Sequence, residues 1–201
     1  MLDAARVLFA THGYAATSRE QVARAAGVAV QTVAAVAGTK RALLEAVVDD
    51  AGRGDGQPLP VALRSWLQEL REQPSGDALL RAHARSSAAV SERTAAVTET
   101  LRRAAAADAA LAELWSDLQR QRRRGQATVV ELLASRTPPL RADLTSAEAA
   151  DVLWALSDDS LHSALVGEAG WTAERFAGWL GDTMCALLLR LDQPVVGMTG
   201  V

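Results

Sequence analysis

A pair of short helices around Gly27 is the feature that most constrains how this chain folds. Ser18 and Gln21 have the spacing of a capping box, in which each side chain satisfies a backbone N–H at a helix start. Gly27 stands where that helix must end in a sharp turn, a position that favours positive φ. Gln31 and Thr32 then open a second short helix. This is the layout of a helix-turn-helix, whose second helix fits the DNA major groove, although any helical hairpin with a glycine shares it.

Helical signals continue on both sides of this pair. Apolar residues at helical spacing predict a helix over residues 2–12, which Gly13 ends. Thr39 is a suitable N-cap for a longer helix that follows the pair. The glycine-rich stretch 52–56 interrupts this pattern and is the best candidate for a domain boundary or hinge.

The remainder of the chain is predicted to be helical from its capping residues and apolar spacing. The expected helices cover a segment that starts near Pro58 and stops near Pro74, then residues 77–87, about 90–107, 108–133, 145 to about 166, and 172 onwards. Asp108, Thr145 and Thr172 are the expected N-caps of the last three, and Thr145 forms a capping box with Glu148. No stretch alternates apolar and polar residues in the way that a strand does, so we predict no strands. The fold class that follows is all-α.

Charge is distributed unevenly along the chain. Residues 1–44 hold five basic side chains and two acidic ones, a net charge of +3, whereas the whole chain is −3 and the remainder therefore carries −6. A basic N-terminal part suits contact with phosphate. Cys185 is the only cysteine, which excludes an intramolecular disulfide and fits a reducing cytosol. We expect a cytoplasmic protein with no secretory signal and no membrane span.

No constellation in the sequence indicates enzyme or metal chemistry. The three histidines lie far apart, with no glutamate or cysteine at ligand spacing beside them, and no phosphate-binding glycine loop or nucleophile elbow is present. We therefore expect no enzymatic activity, no metal site and no cofactor.

Two long strings of this sequence resemble a known family, the tetracycline-repressor (TetR) family of transcriptional regulators. They read LDAARVLFATHGYAATSREQVARAAGVAVQTVAAVAGTKRALLEAVVD near the start and EAADVLWALSDDSLHSALVGEAGWTAERFAGWLGDTMCALLL near the end. The resemblance implies a helix-turn-helix DNA-binding domain at residues 1–44 and a larger helical domain for ligand binding and dimerisation at residues 45–201. It also implies a homodimeric regulator, most often a repressor, that a small molecule releases from a double-stranded DNA operator through a hinge around residues 45–57.

The same resemblance assigns residues to the DNA surface. In the family, positions matching Thr17, Ser18 and Lys40 hold DNA phosphates, and a basic helix N-terminus is a suitable anion site. Gln31 and Thr32 open the recognition helix, where Gln can pair with adenine and the Thr methyl can meet thymine. Arg19 is a further candidate for a phosphate or base contact. The alternative for each is a capping or solvated residue.

The resemblance also assigns ligand and dimer residues in the larger domain. The tryptophans and the histidine on helices that line the family's ligand cavity are expected to form an apolar pocket with a polar handle: Trp66, His83, Trp115 and Trp154. The last two helices are expected to form a four-helix dimer interface that includes Leu161, Trp171, Phe176, Trp179 and Leu187. For each tryptophan of the pocket, ordinary core packing is the alternative.

Two alanines depart from the family pattern. The family commonly has tyrosine at the position of Ala34, where it touches a phosphate, and phenylalanine at the position of Ala37, where it fills the small three-helix core. No basic arm is expected ahead of the first helix. These departures leave a second interpretation open, in which the chain is a helical ligand-binding or interaction protein with a degenerate DNA-binding domain.

Overall fold

The structure, a computed structural model, describes residues 1–53 and 65–190 and consists of helices. In chain order these are α1 Leu2–Ala16, α2 Arg19–Ala26, α3 Val30–Ala37, α4 Lys40–Arg53, α5 Ser65–Glu72, α6 Gly76–Ala105, α7 Ala109–Leu133, α8 Ser146–Leu156, α9 Asp159–His162, a π-helical turn Ser163–Glu168, and α10 Ala173–Leu188. Extended pairing in the described ranges is limited to one isolated bridge between Leu140 and Leu189. The all-α prediction is confirmed.

The predicted helix starts are formed by the side chains that the sequence indicated. Ser18 and Thr145 each complete a capping box with the residue three positions later. Asp108 accepts hydrogen bonds from two backbone N–H groups at the start of α7, and Thr172 accepts one at the start of α10. Local capping chemistry therefore sets where these helices begin.

Two predicted helix boundaries in the larger part of the chain are wrong. The break expected near residue 88 does not occur: Ala88 and Ala89 favour a helix, and α6 runs on through them. The helix expected to run from residue 145 to about 166 ends at Leu156. Asp158 starts a new helix there, since its carboxylate accepts a hydrogen bond from the backbone N–H of Ser160 at 2.9 Å.

The first four helices, α1–α4, form the head of the molecule. Gly13 interrupts α1 with φ 78° and ψ 169°, as the sequence predicted, and the chain resumes one helical turn before α2. The head core is built on Phe9, Val22, Val33 and Leu44, each with no exposed surface. It continues into α6 and α7, whose Val97, Leu101 and Leu111 belong to the same cluster. The head is thus packed against the rest of the chain.

The remaining helices, α5–α10, form the body around the long central helix α6. α6 is flanked by α7 and α10, and α8 packs on α7. A second apolar cluster fills the space between them, with Leu79, Leu80, Leu133, Leu153 and Phe176 almost wholly buried. In the described ranges no helix is both long and apolar enough to cross a bilayer.

Two hydrogen bonds join the head to α6. The Thr100 hydroxyl donates to the carbonyl oxygen of Phe9 on α1 at 3.1 Å, and Arg93 Nε donates to the carbonyl oxygen of Ala51 on α4 at 3.3 Å. α4 is continuous from Lys40 to Arg53, so it passes through residue 44, where the sequence placed the domain boundary. The part of the expected hinge beyond residue 53 and the expected helix start near Pro58 lie outside the described residues.

Candidate nucleic-acid interface

The capped α2 and the left-handed Gly27 present one side of α3 to solvent. Gly27 adopts φ 66° and ψ 30°, the conformation that the turn of a helix-turn-helix requires here. On α3, Val33 is fully buried in the head core, while Gln31 and Thr32 are exposed in the first turn. Ala35 is exposed as well. The first turn of α3 can therefore approach a partner without any rearrangement of the head.

Two basic side chains, at the starts of α2 and α4, are held in place by backbone carbonyls. Arg19 Nη1 donates to the carbonyl oxygen of Gly38 at 2.7 Å, just beyond the C-terminus of α3. Lys40 Nζ donates to the carbonyl oxygen of Ala15 at 3.1 Å and lies 4.4 Å from the centroid of the Tyr14 ring. Partial burial lowers the pKa of Lys40. These contacts therefore hold the side chains of Arg19 and Lys40 in defined positions.

Ser18 lies at the N-terminus of α2, next to Arg19. Its hydroxyl accepts a hydrogen bond from the backbone N–H of Gln21 at 3.2 Å, while its own N–H donates to Gln21 Oε1 at 2.6 Å. Glu20 follows in the first turn of α2. Hydrogen bonds from its own backbone N–H and from the Ser18 hydroxyl lower the pKa of Glu20, so the hydroxyl hydrogen of Ser18 is already engaged within α2.

The structure corrects the assignment of Thr17 to the DNA surface. Thr17 is 2 % exposed, and its hydroxyl lies 3.1 Å from the carbonyl oxygen of Leu8 and 2.9 Å from that of Gly13. Its single hydroxyl hydrogen is used inside the head, where it ties the end of α1 together. Thr17 is therefore a structural residue, and its side chain does not reach the outer surface.

Ala37 is part of the head core, with 9 % of its surface exposed. It lies in the same apolar cluster as Phe9, Val33 and Leu43. Phe9 stacks with Tyr14 at a centroid separation of 6.0 Å, so aromatic bulk in the head is supplied from α1. The small side chain at position 37 is accommodated by a core that closes around it.

Sequence reasoning missed the apolar side chains at the outer surface of the head. Val36 is 67 % exposed at the end of α3, and Val28 is 37 % exposed in the turn before it. The signal that could have found Val36 is its four-residue spacing from the exposed Thr32, which places both side chains on one face of α3.

Comparison with known proteins identifies this part of the chain. Residues 1–47 match the family model of bacterial regulatory proteins of the tetR family. This part of the chain is therefore similar in sequence to the N-terminal domain of tetR-family regulators. The matched range contains the whole helix-turn-helix and the first half of α4. No curated protein has a significantly matching sequence.

Solved structures of bacterial regulators share the fold of nearly the whole chain. FadR from Bacillus subtilis, solved in complex with stearoyl-CoA, superposes with a TM-score of 0.73 at 13 % identity, covering 92 % of this chain and 96 % of FadR. The ketosteroid regulator KstR2 of Mycobacterium tuberculosis gives 0.64 at 16 % identity, with 94 % and 93 % covered. SmeT, the repressor of the Stenotrophomonas maltophilia efflux pump SmeDEF, gives 0.65 at 20 % identity, with 100 % and 94 % covered. The body therefore has a TetR-type fold as well.

The four residues predicted to bind ligand in this TetR-type body lie in different surroundings. Trp66 packs against the body cluster, whereas Trp115 packs against the head cluster. Trp154 Nε1 donates to Gln119 Oε1 at 3.1 Å. They line neither of two surface grooves, one of about 380 Å³ between Arg141 and Arg190 and one of about 500 Å³ along Ala109–Arg120. Neither of these two grooves is therefore the predicted ligand pocket.

His83 does lie inside the body, in contact with a polar partner. It is 5 % exposed, and its Nε2 is 2.8 Å from Gln126 Oε1 on α7. Burial lowers the pKa of His83 to about 4, so the ring is neutral at pH 7. A neutral ring that donates from Nε2 to the amide oxygen leaves Nδ1 as an acceptor, and Nδ1 has no hydrogen-bond partner.

A buried carboxylate connects α9 to α6 in the same body. Asp159 is 8 % exposed and accepts hydrogen bonds from Ser91 Oγ at 2.8 Å and Thr94 Oγ1 at 3.1 Å. One turn further along α9, His162 is also buried and packs edge-on against Phe176, with an unpartnered Nε2. Sequence reasoning missed this polar set because its members are distant in the chain and share no spacing pattern.

The predicted dimer residues divide into buried and accessible ones. Phe176 is 1 % exposed within a single chain, so it packs inside its own body and the structure corrects its assignment to the interface. Leu187 is 43 % exposed, and Leu161, Trp171 and Trp179 are half-buried. The two tryptophans meet edge to face at 5.9 Å, and their exposed sides are available to a second chain.

Three arginines in the middle of α7 pair with carboxylates of the same chain. Arg123 forms a two-pronged ion pair with Asp151 at 2.5 and 2.8 Å, and Arg122 lies 3.4 Å from Asp158. Arg120 pairs with Asp117. In the ranges that the structure describes, no group of three or more histidine, cysteine or acidic side chains is arranged to hold a metal ion.

Proposed function

We propose that this protein is a homodimeric, ligand-responsive transcriptional regulator of the TetR type, acting as a repressor that a small molecule releases from a double-stranded DNA operator. The observation that carries the proposal is the exposed first turn of α3, with Gln31 and Thr32 outward, in a domain whose sequence matches the TetR family. An exposed second helix after a glycine turn is the element that other helix-turn-helix proteins place in the major groove.

The basic side chains around α3 support a division of roles on DNA. Lys40 opens α4, where its ammonium group and the free N–H groups of a helix start favour an anion. Arg19 lies at the start of α2, with its guanidinium at Gly38, just beyond the C-terminus of α3. Contacts of these two residues to phosphates position the head, while Gln31 and Thr32 read base edges.

Dimerisation through α8–α10 would set the spacing of the two heads. A homodimer binds two half-sites tightly only when its recognition helices are separated by about one turn of DNA, roughly 34 Å. Leu187 and the outer sides of Trp171 and Trp179 offer apolar surface for a second copy of the chain. The similar fold of FadR, which was solved with stearoyl-CoA, supports a ligand site in the body.

The contacts of α6 provide a route by which a ligand in the body can move the head. Arg93 and Thr100 tie α6 to α4 and α1, and Asp159 holds α6 from the side of α9. A ligand that prefers one position of α6 would favour one head separation over another, and only a separation that fits the groove repeat gives tight binding.

Fluorescence anisotropy with two head variants tests the DNA-binding part of the proposal. Lys40→Ala should weaken binding to all duplexes by the same factor and lower the salt slope by about one. Gln31→Ala should instead change which duplex is preferred. Arg124→Ala is the matched control, because it removes one exposed positive charge from α7, outside the head. Equal affinities of Lys40→Ala and wild type at every salt concentration would contradict the proposal.

A second function is favoured by the apolar surface of the head. A ligand-binding or interaction protein with a degenerate DNA-binding domain would explain Ala34 in place of a phosphate-contacting tyrosine and the exposure of Val36. If this interpretation holds, the head binds operator and unrelated duplexes equally weakly, with no preference that Gln31→Ala could alter.

A further inference from the structure

The recognition helix α3 has no charged side chain along its whole length. Its sequence is VQTVAAVA, and the members of its outer face are Gln31, Thr32, Ala35 and Val36. Ala35 and Val36 present only methyl groups to solvent, and Thr32 presents a methyl group and a hydroxyl. Val36 is the most exposed large apolar side chain among the described residues, at 67 %. A surface of this composition on a helix that faces DNA restricts which bases it can recognise.

The major groove presents a different pattern of groups at each base pair. Guanine is read by arginine or lysine at O6 and N7, and cytosine by a carboxylate at N4. α3 has neither kind of side chain, and the adjacent cations Arg19 and Lys40 each donate to a backbone carbonyl at the edge of the head. Adenine is read by glutamine at N6 and N7, and thymine by apolar contact with its 5-methyl group. These last two modes are the ones that α3 can supply.

Resting on the proposed function, we propose that α3 reads consecutive A·T pairs, with one adenine paired to Gln31 and neighbouring thymine methyl groups packed against Thr32, Ala35 and Val36. Gln31 and Val36 are five residues apart, a rise of about 7.5 Å along the helix. This length matches about two steps of 3.4 Å along DNA, so the face spans about three base pairs. Val36 is then a specificity-determining residue of the head.

Replacement of thymidine by deoxyuridine in the duplex tests for contacts to the thymine methyl group separately from other forms of recognition. Deoxyuridine differs from thymidine only by loss of the 5-methyl group, so it leaves base pairing, phosphates and other groove atoms unchanged. A methyl group buried against an apolar side chain contributes about as much as one buried methylene group, which corresponds to about a fourfold change in affinity. Each contacted thymine should therefore weaken binding about fourfold when it is replaced by deoxyuridine.

The experiment begins with selection of tight-binding duplexes from a random-sequence pool by the full-length protein. The expected result is a conserved A·T run in each half-site, a loss of about fourfold for each deoxyuridine within that run, and no loss for deoxyuridine outside it. Val36→Ala should reduce the sensitivity at one thymine and leave the salt slope unchanged. Val7→Ala, at a 56 % exposed position on α1, is the matched control and should behave as wild type.

The outcomes separate this inference from the function on which it rests. Specific, salt-dependent binding to half-sites whose conserved pairs are G·C, or binding that is insensitive to deoxyuridine at all positions, overturns the reading of thymine and leaves the regulator intact. Failure to enrich any duplex, with equal weak binding to all of them, overturns both.

Discussion

Replacement of Ala37 by phenylalanine tests whether the core of the head has unfilled space at the end of α3. Ala37 is 9 % exposed at the end of α3 and belongs to the same closed cluster as Phe9, Val33 and Leu43. If the family's phenylalanine had been lost without compensation, a cavity would remain there and Ala37→Phe would fill it. The structure instead leaves the alanine only 9 % exposed within this apolar cluster, so we expect the larger ring to push its neighbours apart.

The expected cost can be estimated from the packing of this cluster. Forcing extra methylene groups into a filled core typically destabilises a protein by about 1–3 kcal/mol. For a chain of this size each kcal/mol lowers the melting temperature by about 2–4 °C. Ala37→Phe should therefore lower it by about 2–12 °C. Filling a true cavity would act in the opposite direction, by about 0.5–2 kcal/mol of added stability.

Thermal unfolding followed by circular dichroism measures this difference. Ala35→Phe is the matched control, because it makes the same change in helix propensity on an exposed position of α3 and should stay within about 0.5 kcal/mol of wild type. A melting temperature of Ala37→Phe that equals or exceeds that of Ala35→Phe would refute the reasoning. It would show unfilled space in the head and favour the degenerate-domain interpretation.

Three further measurements examine the body and its assembly. Gly76→Ala should destabilise the fold, because the added Cβ would lie 2.7 Å from a backbone oxygen in the loop after α7. Gly125→Ala has open space around it and should stabilise α7 by up to about 1 kcal/mol. Chemical denaturation of both variants measures the two changes in the free energy of unfolding. The native pKa of His83 is about 4, below its unfolded value of 6.5. The unfolded state therefore binds the proton first as the pH falls. The stability that is present above pH 6.5 is lost as the pH falls towards 4. The loss is up to about 3 kcal/mol and should be smaller in His83→Gln; an unchanged pH profile would contradict it. Leu187→Glu should convert a dimer to a monomer in sedimentation analysis while Val7→Glu does not, and equal behaviour of the two would argue against an interface at α10.

The sequence predicted those parts of the fold that local chemistry determines. The capping boxes at Ser18 and Thr145, the cap at Asp108 and the turn at Gly27 each depend on residues within a few positions of one another, and all are formed. The continuity of α6 was missed because two alanine-rich segments separated by serines look the same whether or not the helix breaks between them. Its continuity is supported by packing of both halves on other helices, which no local pattern records.

Site residues were predicted less well where their roles depend on burial. The exposure of Gln31 and Thr32 agrees with their position in the first turn of α3. Thr17 and Phe176 were assigned by position in a motif, but tertiary packing places both inside the protein. The contact between Asp159 and α6 joins residues more than 60 positions apart, so sequence spacing had no means of indicating it.

Lys40 offers the most direct measurement of whether the head surface meets DNA, since it is the only lysine in the chain. Apart from the N-terminal amine, an amine-specific reagent therefore reports on this one side chain, and mass spectrometry can follow its modification rate. With a selected duplex at the concentration that saturates anisotropy, the account predicts that Lys40 is strongly protected, while an unrelated duplex at the same concentration protects it far less. An unchanged modification rate in the presence of saturating selected duplex, or the absence of any duplex that binds in preference to others, would contradict the account.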